Sequence, residues 1–61
     1  MKYIELTHWE FGRNILINIY EIVFILDEGK YRIIQTKRSG CIEVIETYTQ
    51  ILKEIQNYEN T

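Results

Sequence analysis

A chain of 61 residues with one cysteine and one histidine has room for one domain, and it lacks the thiols for an intrachain disulfide or a thiolate-rich zinc site. Its net charge of -2 excludes the strong positive field of a general nucleic-acid or membrane binder. No stretch reaches the roughly 20 apolar residues of a membrane span, and the N-terminus lacks the pattern of a signal peptide, so a cytoplasmic protein with a reduced thiol is expected.

Any metal site would have to be built from carboxylates with no recognisable loop to hold them, so neither metal nor cofactor is expected. A domain of this size buries only about 60% of its unfolded surface, and without disulfide or metal the remaining supplement is association. Twelve isoleucines and five tyrosines, with no alanine or proline, favour a pleated, half-buried surface.

Tyr3 to His8 alternates, with Ile4 and Leu6 on one face and Glu5 and Thr7 on the other, which is the period of a half-buried strand. Phe11-Gly12-Arg13-Asn14 supplies turn chemistry, with Gly12 free to take positive φ, and Ile15-Leu16-Ile17 follows as a second strand. Asn18 to Glu21 is too short for an α-helix and reads as a tight connection, opened by an Asn that can bond its own backbone. Ile22 to Asp27 is the third strand. A hairpin turn at Asp27-Glu28-Gly29-Lys30 leads into Tyr31 to Thr36, and a second turn at Lys37 to Gly40 leads into Cys41 to Val44.

After Val44 the period changes. Tyr48, Ile51, Leu52, Ile55 and Tyr58 form one stripe of an amphipathic helix, and Thr47 followed three residues later by Gln50 matches a capping box. The tail Glu59-Asn60-Thr61 should fray. The expected fold is a single α+β domain over residues 1–61, an antiparallel β-meander of about five strands with one C-terminal helix.

Ile22-Val23-Phe24-Ile25-Leu26 places apolar side chains on both faces of one strand, because successive residues point to opposite sides. One helix stripe covers one side of a small sheet. The other is then buried by a second copy, through an interface at Ile22, Phe24, Ile25 and Leu26, or by the sheet curling into a small barrel. A homo-oligomer, a dimer or higher, is the expectation.

No catalytic constellation stands out, and the chain is read as a non-enzyme. Ser39 belongs to a turn and nothing brings His8 to it. Cys41 opens a short strand and reads as a small buried apolar residue rather than a nucleophile, and His8-Trp9-Glu10 lines a pocket or, the favoured reading, is an edge-strand end whose Trp packs on the core. Tyr3, Tyr20, Tyr31 and Trp9 are left to serve an interface or a site.

Four of the seven basic residues, Lys30, Arg32, Lys37 and Arg38, gather around one strand and its turn. They could hold an anionic small molecule such as a nucleotide, with Arg32 or Arg38 as a two-pronged phosphate donor and Tyr31 stacking nearby, or they could be a solvated edge.

The order strand-turn-strand, Asn18, a short connection, Ile22 to Leu26, a hairpin, Thr36 with Gly40 beyond it, Val44, Glu46 and then a helix resembles the small FlbD/SwrD-like flagellar proteins, over about Phe11 to Ile55. Where such proteins tend to carry a Leu-Asn-Gly turn near the start, this chain has Glu10-Phe11-Gly12. The resemblance implies a non-enzymatic accessory role in motility. Ile22 through Gly29-Lys30-Tyr31 to Thr36 is also similar to the strand pair of LytTR-type DNA-binding domains, which are considerably longer. The turn at Lys37-Arg38 is the only element that could touch DNA, and the acidic balance argues against nucleic acid as partner.

The expected function is binding rather than catalysis, a small adaptor that assembles with itself and engages a protein partner. The alternative is a phage or mobile-element protein that sequesters an anionic nucleotide signal or inhibits a host defence protein. A DNA-binding accessory ranks third.

Overall fold

The computed structural model describes residues 2–59, with side chains to Asn57. Alternation in the first third produces a hairpin: β1 (Tyr3–Thr7) runs antiparallel to β2 (Asn14–Asn18), with Ile4 opposite Ile17 and Leu6 opposite Ile15. Opposed residues lie on the same side of a ladder, so these four side chains form one inward face. The turn is held by His8, whose Nδ1 accepts the N–H groups of Glu10 (3.1 Å) and Phe11 (3.3 Å), and by Gly12 at a φ of 66°.

Asn18 caps a single 3-10 turn, Ile19–Glu21, by accepting the Tyr20 N–H at 3.0 Å. The chain then enters β3 (Ile22–Asp27), which pairs antiparallel with β4 (Arg32–Thr36), and β4 pairs with β5 (Cys41–Val44). The β3–β4 hairpin closes on Gly29, at a φ of 90°, whose N–H donates to Asp27 Oδ1 at 2.9 Å. The next turn is closed by Thr36, whose buried hydroxyl donates to the Gly40 carbonyl and accepts the Ser39 N–H, both at 2.9 Å.

The strands do not form one continuous meander. They make a two-stranded sheet, β1-β2, and a three-stranded sheet, β3-β4-β5, because the 3-10 turn separates β2 from β3 and no ladder joins them. The two sheets meet instead at a corner. Trp9 N–H donates to the Glu43 carbonyl (2.9 Å) and Ile45 N–H to the Thr7 carbonyl (3.0 Å), with His8 bridging Val44.

Helix α1 (Tyr48–Glu59) starts from the expected capping box: Gln50 Oε1 accepts the Thr47 N–H at 2.8 Å and the Gln50 N–H donates to Thr47 Oγ1 at 3.2 Å. Ile51 joins Ile4, Leu6, Ile17, Ile19, Ile34 and Val44 in the buried core, with Ile55 packed against it. The covering stripe is narrower than the sequence suggests, since Tyr48 and Leu52 are exposed. Of the tail expected to fray, Glu59 is the last residue of the helix, and Asn60, Thr61 and the side chain of Tyr58 lie outside the described residues. Each fully buried aliphatic contributes about 1.5–3 kcal/mol, which is how so short a helix stays docked.

Candidate functional site

The register of the three-stranded sheet decides which side chains face away from the core. Ile25 lies opposite Ile34, and Ile34 opposite Ile42, so these point inward with the buried Ile34. Phe24 opposes Gln35, Leu26 opposes Ile33, Ile33 opposes Glu43 and Gln35 opposes Cys41, and this set forms the outer face.

A bulge between Ile22 and Phe24 fixes that choice. In an unbroken strand Ile22 and Phe24 would share a side; the extra residue, Val23, lets Ile22 and Ile25 both pack on the core and turns Phe24 outward. Val23, Phe24 and Leu26 are consequently 56%, 45% and 48% exposed. Of the four expected interface residues, Phe24 and Leu26 are on the surface, whereas Ile22 and Ile25 are half-buried against the core.

The apolar strip continues across the sheet to two aromatics. Trp9 is held opposite Glu43 by its backbone bond, and its ring sits 5.5 Å from that of Tyr31. The Glu43 carboxylate, with burial and Glu28 adding to it, raises the Tyr31 phenol above its ordinary value, so Tyr31 is a neutral hydrogen-bonding group. Cys41 is exposed rather than buried, and donates its S–H to Gln35 Oε1 at 2.8 Å on the same face.

The basic residues do not gather. Arg32 is in phase with the buried Ile34 and Thr36 and turns inward, where its guanidinium donates to Asp27 Oδ1 (3.2 Å) and to the carbonyls of Gly29 (3.1 Å) and Ile45 (2.9 Å). Its Nε is buried without a partner. This arginine braces the β3–β4 turn against the strand end after β5, and it is not presented as a phosphate donor. The Asp27 carboxyl is lowered below its ordinary value, chiefly by the Gly29 N–H and further by Arg32.

Lys30, Lys37 and Arg38 are exposed, but Lys30 precedes β4 and the other two follow it, so about 3.4 Å of rise per residue along the strand keeps them apart. Arg38 reaches back to Glu21, Nε to Oε1 3.4 Å. Tyr31 lies at the Lys30 end, away from Lys37 and Arg38. Among the described residues no group of three or more His, Cys, Asp or Glu side chains is placed to hold a metal ion, and no helix is long and apolar enough to cross a membrane.

No family model, curated protein or solved structure matches the chain. The functional reading therefore rests on the sheet face and the edge beside it. The sequence signal for the inward Arg32 was present in its two-residue spacing from Ile34, although the hydropathy of Arg hides it.

Proposed function

We propose that this chain is a non-catalytic binding protein that works as a homo-oligomer, a small adaptor assembled through β3. The observation that carries the reading is the exposure of Val23, Phe24 and Leu26 on an edge strand, on the side opposite the helix. Burial of each such side chain is favourable by roughly 1.5–3 kcal/mol, a large quantity beside the few kcal/mol available to a core of this size. A second copy carries the same surface, so a closed symmetric contact buries both at once.

Once assembled, Trp9, Tyr31 and Ile33 lie further across the sheet beside the Glu43 carboxylate and supply the aromatic surface that a protein partner uses. Native mass spectrometry of the full chain tests the reading: two or more copies are expected, and Phe24→Glu, an exposed position, should give a folded single copy. A single copy for the unaltered chain at micromolar concentration refutes it.

A further inference from the structure

Building on that homo-oligomeric reading, we infer that two copies join edge to edge through β3, antiparallel and centred on Ile25, so that Phe24 of each copy lies opposite Leu26 of the other.

The hydrogen-bond phase of β3 sets this register. Glu28 N–H donates to the Tyr31 carbonyl at 2.9 Å, continuing the β3–β4 ladder. Bonded pairs alternate in an antiparallel ladder, so Leu26 and Phe24 also exchange bonds with β4, while Ile25 and Asp27 turn their N–H and C=O outward. Among the described residues β4 is the only strand beside β3, and the outer edge is open.

A two-fold axis at Ile25 lets the two Ile25 residues exchange a reciprocal pair of backbone bonds. The same axis sets Phe24 against Leu26 of the second copy on the outer face, and it keeps both Ile25 side chains inward. A slip of one residue puts outward side chains opposite inward ones. Sliding one copy so that the two Leu26 residues meet sets Phe24 opposite the charged Glu28 turn. Sliding it the other way sets Leu26 opposite the core-packed Ile22, because of the bulge.

Face geometry favours the antiparallel arrangement. A two-fold axis normal to the sheet keeps the outer faces of both copies on one side, whereas parallel pairing through the same edge would set the outer face of one copy beside the inner face of the other. Asp27 is already bonded to Arg32, and Arg38 to Glu21, so the charges at the two strand ends are largely met within each copy. Of the other strands at a sheet end, β1, β2 and β5, the edge of β2 is polar. The His8 N–H to Arg13 carbonyl bond (2.7 Å) sets its phase, so that Asn14, Leu16 and Asn18 face outward with two amide side chains along a short strand.

Disulfide trapping tests the register. In a Cys41→Ser background, Phe24→Cys and Leu26→Cys are made on separate chains, co-refolded as a mixture, and oxidised, with native mass spectrometry of each run alongside. The inferred register holds positions 24 and 26 of opposite copies at a Cα separation of about 4.5 Å, inside the range a disulfide spans. Covalent dimer should therefore form at least five-fold more in the mixture than in either variant alone. A dimer in native spectra whose mixture cross-links no better than the single variants overturns the edge register and leaves the homo-oligomer standing. A single copy for the Cys41→Ser parent, in which Phe24 and Leu26 are intact, overturns both.

Discussion

The Glu46 carboxylate receives two hydrogen bonds from Thr7, one from its backbone N–H and one from its hydroxyl, both at 2.9 Å. Residues from the first strand and from the approach to the helix are thereby tied at the corner where the two sheets meet. Bonds to a charged acceptor contribute about 1.5–3 kcal/mol, so Glu46→Ala should destabilise the chain by about 2–3 kcal/mol and Glu46→Gln by less. Urea denaturation followed by circular dichroism measures the difference.

Arg32 is expected to act on stability rather than on ligand binding. Arg32→Ala leaves the Ile45 carbonyl and the β3–β4 turn without their donor and should cost about 2 kcal/mol or more, and Arg32→Lys, lacking the planar fork, should not restore it. Lys37→Ala should shift stability by no more than about 0.5 kcal/mol. Thermal melts of the three variants decide the point; equal melting temperatures for Arg32→Ala and the unaltered chain would contradict the assignment.

Asp27 predicts a pH dependence with a defined sign. Its folded-state value is lowered from 3.8, so the stability it contributes is complete above 3.8 and is lost as pH falls through the lower folded value. The difference in denaturation midpoint between the unaltered chain and Asp27→Asn should be constant near neutrality and shrink as pH falls below 3.8. A difference that grows on acidification would reverse the sign.

The helix offers a paired comparison. Ile51 is fully buried and Tyr48, one turn earlier, is exposed, so Ile51→Ala should cost about 2–5 kcal/mol while Tyr48→Ala stays within about 0.5 kcal/mol. Thr47→Ala, which removes one half of the capping box, should fall between them at about 1 kcal/mol. Guanidinium titrations of the three rank them.

The local architecture was largely legible in the residues. Alternation at Ile4 and Leu6, the Asn18 cap, the bounds of β3 and β5 and the Thr47–Gln50 box are properties of neighbours along the chain, and physics of that range is written in spacing. The meeting of His8 with Val44 is not, because it joins positions far apart in sequence through backbone groups that every residue carries. The break into two sheets follows from the 3-10 turn, which the sequence showed as a short connection without showing that β2 and β3 would go unpaired.

The exposed face was legible in part. The run Ile22 to Leu26 announced more apolar surface than one helix covers, but which members are outward depends on the bulge, and that depends on where the 3-10 turn delivers the chain. Arg32 misled through its charge: its phase with Ile34 and Thr36 places it inside, where three oxygens accept its protons. Asn18, Thr36, Gly40 and Glu46 serve caps, turns and a corner.

The bulge at Val23 has a consequence for how the chain tolerates changes in length. The alternation arriving from the 3-10 turn and the alternation imposed by the β3–β4 hairpin disagree by one residue, and Val23 is where the two frames are reconciled. Removing that single codon would leave Ile22 and Ile25 inside and Phe24 and Leu26 outside, while straightening the strand between them. Deleting Phe24 would do the same with Val23 turned outward in its place, whereas deleting Ile25 or Leu26 would bring the frames into step only by setting Phe24 in an inward position. Within β3, positions 23 and 24 are the sites at which a one-residue deletion is absorbed without exchanging the inside of the sheet for its outside.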